Sequence, residues 1–183
     1  MNMKVIKISK VSFDILFFFG VFGIVLMTVL TIASPFIVDA IREIAPTAQT
    51  GTVMGVEFSI DAAELDDASA KQVAYAAGSG IAASLAVATY IAHQIRRALK
   101  AVLVGTAFRE ENYQRLRRVA GATFVLVPIG WMMDSWIGTA VAGEWSLNID
   151  LPLVTVAGGL LALAIAEIYK AGITLQDESE LTV

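Results

Sequence analysis

The sequence predicts an all-α integral membrane protein, a four-helix bundle with both termini cytoplasmic, and three observations predict it. First, 57% of the 183 residues are hydrophobic and 16% are charged, against about 45–50% apolar and about 25% charged in a soluble domain; mean hydropathy is +0.71. Second, the apolar excess falls into four blocks, each long enough to cross a bilayer. Third, the basic residues take sides. With the blocks read as spans, eleven of the 13 Lys and Arg lie in the N-terminal segment, in the connector between the second and third spans, or just after the fourth; Arg42 and Lys71 alone lie across the membrane. Basic connectors are retained in the cytoplasm, which fixes the orientation and places the chain as a multi-pass protein of the inner (cytoplasmic) membrane.

One domain is the natural count at this length. The formal net charge of -4 gives no reason to expect direct nucleic-acid binding. With no cysteine, disulfides, thiolate metal sites and cysteine nucleophiles are excluded, and the compartment cannot be read from redox usage.

The N-terminus carries Lys4, Lys7 and Lys10, and the first span follows over 12–38. A cleaved signal peptide is the competing reading. The apolar run is longer than the roughly 7–15 residues of such a peptide, so the span is read as retained. Pro35 is expected to kink or end it. Asp14, near the start of the span, suits a helix N-terminus.

The external loop, 39–73, is acidic: Asp39, Glu43, Glu57, Asp61, Glu64, Asp66 and Asp67 face only Arg42 and Lys71. Val53, Val56, Phe58 and Ile60 alternate imperfectly with polar or small residues, the pattern of a short strand or hairpin. Asp66 or Asp67 is placed to cap the next helix.

The second span, 74–95, has Ala76, Gly80, Ser84 and Ala88 at four-residue steps. Such a thin stripe lets another backbone approach closely. It serves packing within the chain or a homo-oligomer; the pattern does not choose between them, and packing within the chain is the favoured reading. The helix continues past the membrane to about Val104. Gly105 breaks it, and Thr106 is placed to cap the third helix.

The connector, 96–118, holds Arg96, Arg97, Lys100, Arg109, Arg115, Arg117 and Arg118, with Glu111 and Arg115 as a favourable i,i+4 pair. Attraction to anionic lipid accounts for part of this charge. The third span, 119–142, bends near Pro128 and Gly130. Trp131, Trp136 and Trp145 gather at its outer interface. A short external turn leads to the fourth span, 151–169, and a cytoplasmic tail, 170–183.

Ionisable residues within spans are functional candidates. Asp134 can bind a cation or proton or line an outer cavity. It can equally sit among the headgroups, which the neighbouring tryptophans favour. Glu167, at the inner end of the fourth span, is expected to pair with connector arginines. His93 is the only histidine, too few for a metal site, which wants three or four ligands. No nucleophile–base set and no phosphate-binding glycine loop occurs, so no catalytic residue, cofactor or metal is assigned.

Two stretches, Gly105 to Arg118 and Ala164 to Val183, resemble a bacterial family of four-span membrane proteins known as domain of unknown function 2975. The shared positions are Gly105, Phe108, Glu111, Asn112, Leu116 and Arg117, then Glu167, Tyr169, Lys170, Gly172, Glu178, Leu181, Thr182 and Val183. Tyr169 and Lys170 stand where phenylalanine and arginine are usual, and Ala107 where proline is common. The family has no settled activity, and the resemblance implies a membrane-bound regulator; the leaning against an enzyme rests on the missing nucleophile–base set. Family members are often encoded beside a small helix-turn-helix transcription factor, which would be the cytoplasmic partner. The candidate interaction residues are Arg109, Glu111, Asn112, Arg115, Arg117, Arg118, Asp134, Glu167, Lys170 and Glu178. The alternative is a small transporter or channel subunit using Asp134. The acidic tail, with Asp177, Glu178 and Glu180, is also expected to dock on the basic connector.

Overall fold

The computed structural model describes residues 3–44, 49–53, 56–60, 66–105, 109–142 and 151–181. Asp61, Glu64, Thr106, Ala107, Phe108, Trp145, Thr182 and Val183, which enter the sequence reading, lie outside them. Four helices dominate: α1 (Met3–Ile44), α2 (Asp67–Leu103), α3 (Glu110–Ala142) and α4 (Leu153–Leu181). All four are long and apolar enough to cross a membrane, so the chain is an all-α, multi-pass membrane protein. Even α4, with 29 residues, is about 43 Å long, where about 30 Å of hydrocarbon must be crossed. Two short strands, β1 (Gln49–Val53) and β2 (Val56–Ile60), pair antiparallel between α1 and α2.

The helix ends follow from local chemistry. Asp66 accepts a hydrogen bond from the Ser69 backbone N–H at 2.9 Å, the expected N-cap of α2. Gly105 takes a φ of +80°, a conformation in which a side chain would be strained, and α2 stops at Leu103. Of the two expectations for Pro35, an end to α1 is overturned: the helix runs on to Ile44. Proline cannot donate to the Thr31 carbonyl one turn back. The Ser34 hydroxyl donates to that carbonyl instead, at 2.8 Å, as side-chain hydroxyls do where a helix meets proline in lipid.

On α1 the less exposed positions are spaced by threes and fours: Phe13, Phe17, Gly20, Ile24, Met27, Thr31 and Ser34. That is the seam of a helix packed along one stripe. Phe18, Phe19, Phe22 and Val25 are exposed, as lipid-facing side chains should be.

The chain divides into two compact units. One comprises Met1–Val21, Ala86–Leu126 and Leu153–Val183, and the other comprises Phe22–Leu85 and Val127–Pro152. The second unit has a dry core in which Ala76, Met133 and Ile137 pack with Ala77. There Gly78 lies against Thr31, and a Cβ on Gly80 would come within 2.6 Å of the Met133 sulfur. In the first unit Gly20 lies against Thr89, and a Cβ on Gly159 would fall 2.8 Å from the Phe124 ring. Small residues thus mark the places where helices come closest, as expected where water does not drive them together.

Candidate functional site

In the first unit, the opening turn of α3 carries Asn112 and Tyr113, and both are buried, at 2% and 4% exposure. A buried amide and a buried phenol must find partners, and both do. The Asn112 Oδ1 accepts from Arg115 Nη1 at 2.7 Å, and its side chain shares a hydrogen bond with Tyr169 of α4. The Tyr113 hydroxyl donates to Glu167 Oε1 at 3.2 Å, and the Lys170 ammonium stands 5.4 Å from the Tyr113 ring centre. An ammonium at that range is attracted to the ring face. Glu167, Tyr169 and Lys170 therefore converge on two adjacent residues of α3.

This arrangement corrects one expectation. Glu167 takes the Tyr113 hydroxyl, not a connector arginine. The connector's own ion pairs are local or directed to α1. Arg115 Nη2 lies 3.0 Å from Glu111 Oε2. Arg96 Nε lies 3.5 Å from Asp14 Oδ1, and Lys10 Nζ lies 2.5 Å from Asp14 Oδ2. Asp14 is not at a helix N-terminus, because α1 starts at Met3; it serves as the anion between Lys10 and Arg96. The Arg96 guanidinium also lies 4.5 Å from the Phe17 ring centre, and Phe17 lies 5.4 Å from His93. His93 thus belongs to an aromatic and basic cluster.

The end of α2 and the start of α3 enclose an open cavity of about 290 Å³. Arg97 and Lys100 line it from α2, with Arg109, Glu111, Asn112 and Arg115 across from them. Arg117 and Arg118 are exposed and do not line it. Arg118 instead rims an apolar groove with Tyr90, Ala122 and Val125.

Asp134 lies in the second unit, half-buried between the buried Met133 and Ser135, and is engaged within the protein. It is not part of the network above. Glu178 is exposed on the last turns of α4 and is likewise engaged.

Tyr113 and Tyr169 are functional candidates that sequence reasoning did not assign. Tyr113 follows Asn112 directly, and a polar aromatic beside a buried-type amide at a helix start was the available signal. Its partner 54 residues away leaves no local trace.

A family model described as a protein of unknown function (DUF2975) matches residues 57–183. No curated protein and no solved structure matches the chain.

Proposed function

The chain belongs to the DUF2975 family, and from that premise we propose that it is a non-enzymatic membrane regulator. Its basic connector and C-terminal tail face the cytoplasm and bind a protein partner there, a helix-turn-helix transcription factor being the partner that the resemblance suggests. The orientation rests on the eleven Lys and Arg gathered on one side of the spans.

One observation carries the reading. The two segments that resemble the family come together in space, Asn112 and Tyr113 meeting Glu167, Tyr169 and Lys170. A network in which a buried amide and a phenol are each satisfied fixes shape. It ties the root of the tail to the root of the connector, so a partner that grips the tail also engages the connector helix.

The test is capture from native membranes through a tag on the N-terminus. The expected result is co-purification of a DNA-binding protein, lost when residues 176–183 are deleted while the spans still insert. Capture unchanged by that deletion overturns the tail's role. Solute flux through reconstituted protein, abolished by Asp134→Asn, overturns the regulatory reading in favour of transport.

A further inference from the structure

We infer that the cavity between the end of α2 and the start of α3 is a binding site for a phosphate-bearing anion. The inference does not depend on the proposed protein partner. Arg97 and Lys100 are one turn apart on α2, and Arg109 and Arg115 flank the opening turn of α3; all four line one space of about 290 Å³. Glu111 is the single carboxylate in that lining, and Arg115 already engages it at 3.0 Å. Among the described residues, Arg97, Lys100 and Arg109 have no carboxylate partner. The lining therefore carries an excess of three positive charges facing a shared hollow, a concentration of like charge that draws in an anion.

The donor chemistry narrows the anion's class. Three guanidinium forks and one ammonium suit the several oxygens of a phosphate, which arginine binds two at a time. Arg115 is held in place by Asn112, itself 2% exposed, so at least one fork is oriented before any ligand arrives. The start of α3 adds the positive end of a helix dipole. The volume lies at the floor of the range for small-molecule sites, about 300 Å³. It accommodates a headgroup or an inorganic phosphate and little more. Such a phosphate comes from two sources, the headgroup of an anionic phospholipid and a free phosphate, and the chemistry of the cavity is the same for both.

The experiment uses the full chain in nanodiscs. In one arm the discs mix phosphatidylcholine with phosphatidylglycerol, and native mass spectrometry after mild detergent transfer counts retained phosphatidylglycerol. In the other arm the discs hold phosphatidylcholine alone, and inorganic phosphate is titrated while ³¹P line broadening is followed. Saturable binding in the first arm identifies the lipid source, and in the second arm the free one. Either result supports the site, provided that it depends on the cavity. The Arg97→Gln/Lys100→Gln pair is expected to weaken binding by at least about tenfold. The Lys4→Gln/Lys7→Gln pair removes the same charge from exposed positions outside the lining and is expected to leave binding within about twofold. Glu111→Gln is expected to tighten it, a gain that misfolding cannot produce. Equal weakening by both pairs overturns the site in favour of diffuse surface attraction. Absence of binding in both arms overturns it.

Discussion

The two compact units are held together by different chemistry. The unit of Phe22–Leu85 and Val127–Pro152 relies on closeness: Ala76, Met133 and Ile137 form its dry core, and Gly78 and Gly80 let α2 approach Thr31 and Met133. The other unit has close contacts too, at Gly20 and Gly159, but adds a polar network. There Asn112 and Tyr113 are buried and satisfied by α4 and Arg115, and Asp14 joins α1 to the connector through Arg96. The difference is instructive. Van der Waals packing of small residues fixes how near two helices come but discriminates weakly between partners. A buried hydrogen-bond network is costly if any member is missing, so it fixes one arrangement of α3 and α4. Close approach of the helices and the single arrangement of α3 and α4 are thus carried by separate sets of residues.

The largest expected effect breaks the packing side of that comparison. Gly78→Ala puts a methyl against Thr31, a β-branched residue whose hydroxyl is bonded to the Met27 carbonyl at 2.7 Å. The side chain cannot swing away, and overpacking of this kind costs about 1–3 kcal/mol. Reversible unfolding in mixed micelles should report a loss in that range, with partner capture reduced only in proportion to the folded fraction.

The next effect breaks the network side. Asn112→Ala removes one of the two partners of Arg115 and a partner of Tyr169, an expected loss of about 1–3 kcal/mol. Hydrogen exchange should rise over 110–115 and 167–172 and stay unchanged over 76–80. A rise spread evenly along the chain would erase the distinction between the two units. The smallest effect sharpens the comparison. Asp14→Asn weakens pairs that are partly exposed, so stability should change by less than about 1 kcal/mol, and the change should shrink further at high salt.

Much of the fold could be read from the residues themselves. The apolar blocks, the Asp66 cap and the Gly105 break are local features, and local features leave local signatures. The small-residue stripe was only half legible. Four-residue steps turn a helix by about 40° beyond a full circle, so Ala76 and Gly80 reach the core while Ala88 is exposed. The contact with α1 uses Gly78 and Thr89 instead. Pro35 does not end α1, because whether proline stops a helix depends on whether a neighbouring hydroxyl takes over the orphaned carbonyl, which Ser34 does. In the site, Asn112, Arg115, Glu167 and Lys170 were identified singly. An approach of Glu167 to the connector was legible from the charges, but its partner was not, because nothing in the spacing of Tyr113 marks it rather than an arginine as the residue that meets Glu167.

The most direct test of the account is a double-mutant cycle on Tyr113→Phe and Glu167→Gln, read by partner capture and by unfolding in parallel. If the two segments form one site, the second substitution should add little once the first is made, a coupling of about 0.5–1.5 kcal/mol. Fully additive losses would mean that Tyr113 and Glu167 act independently, and the claim that α3 and α4 present a single functional surface would fail.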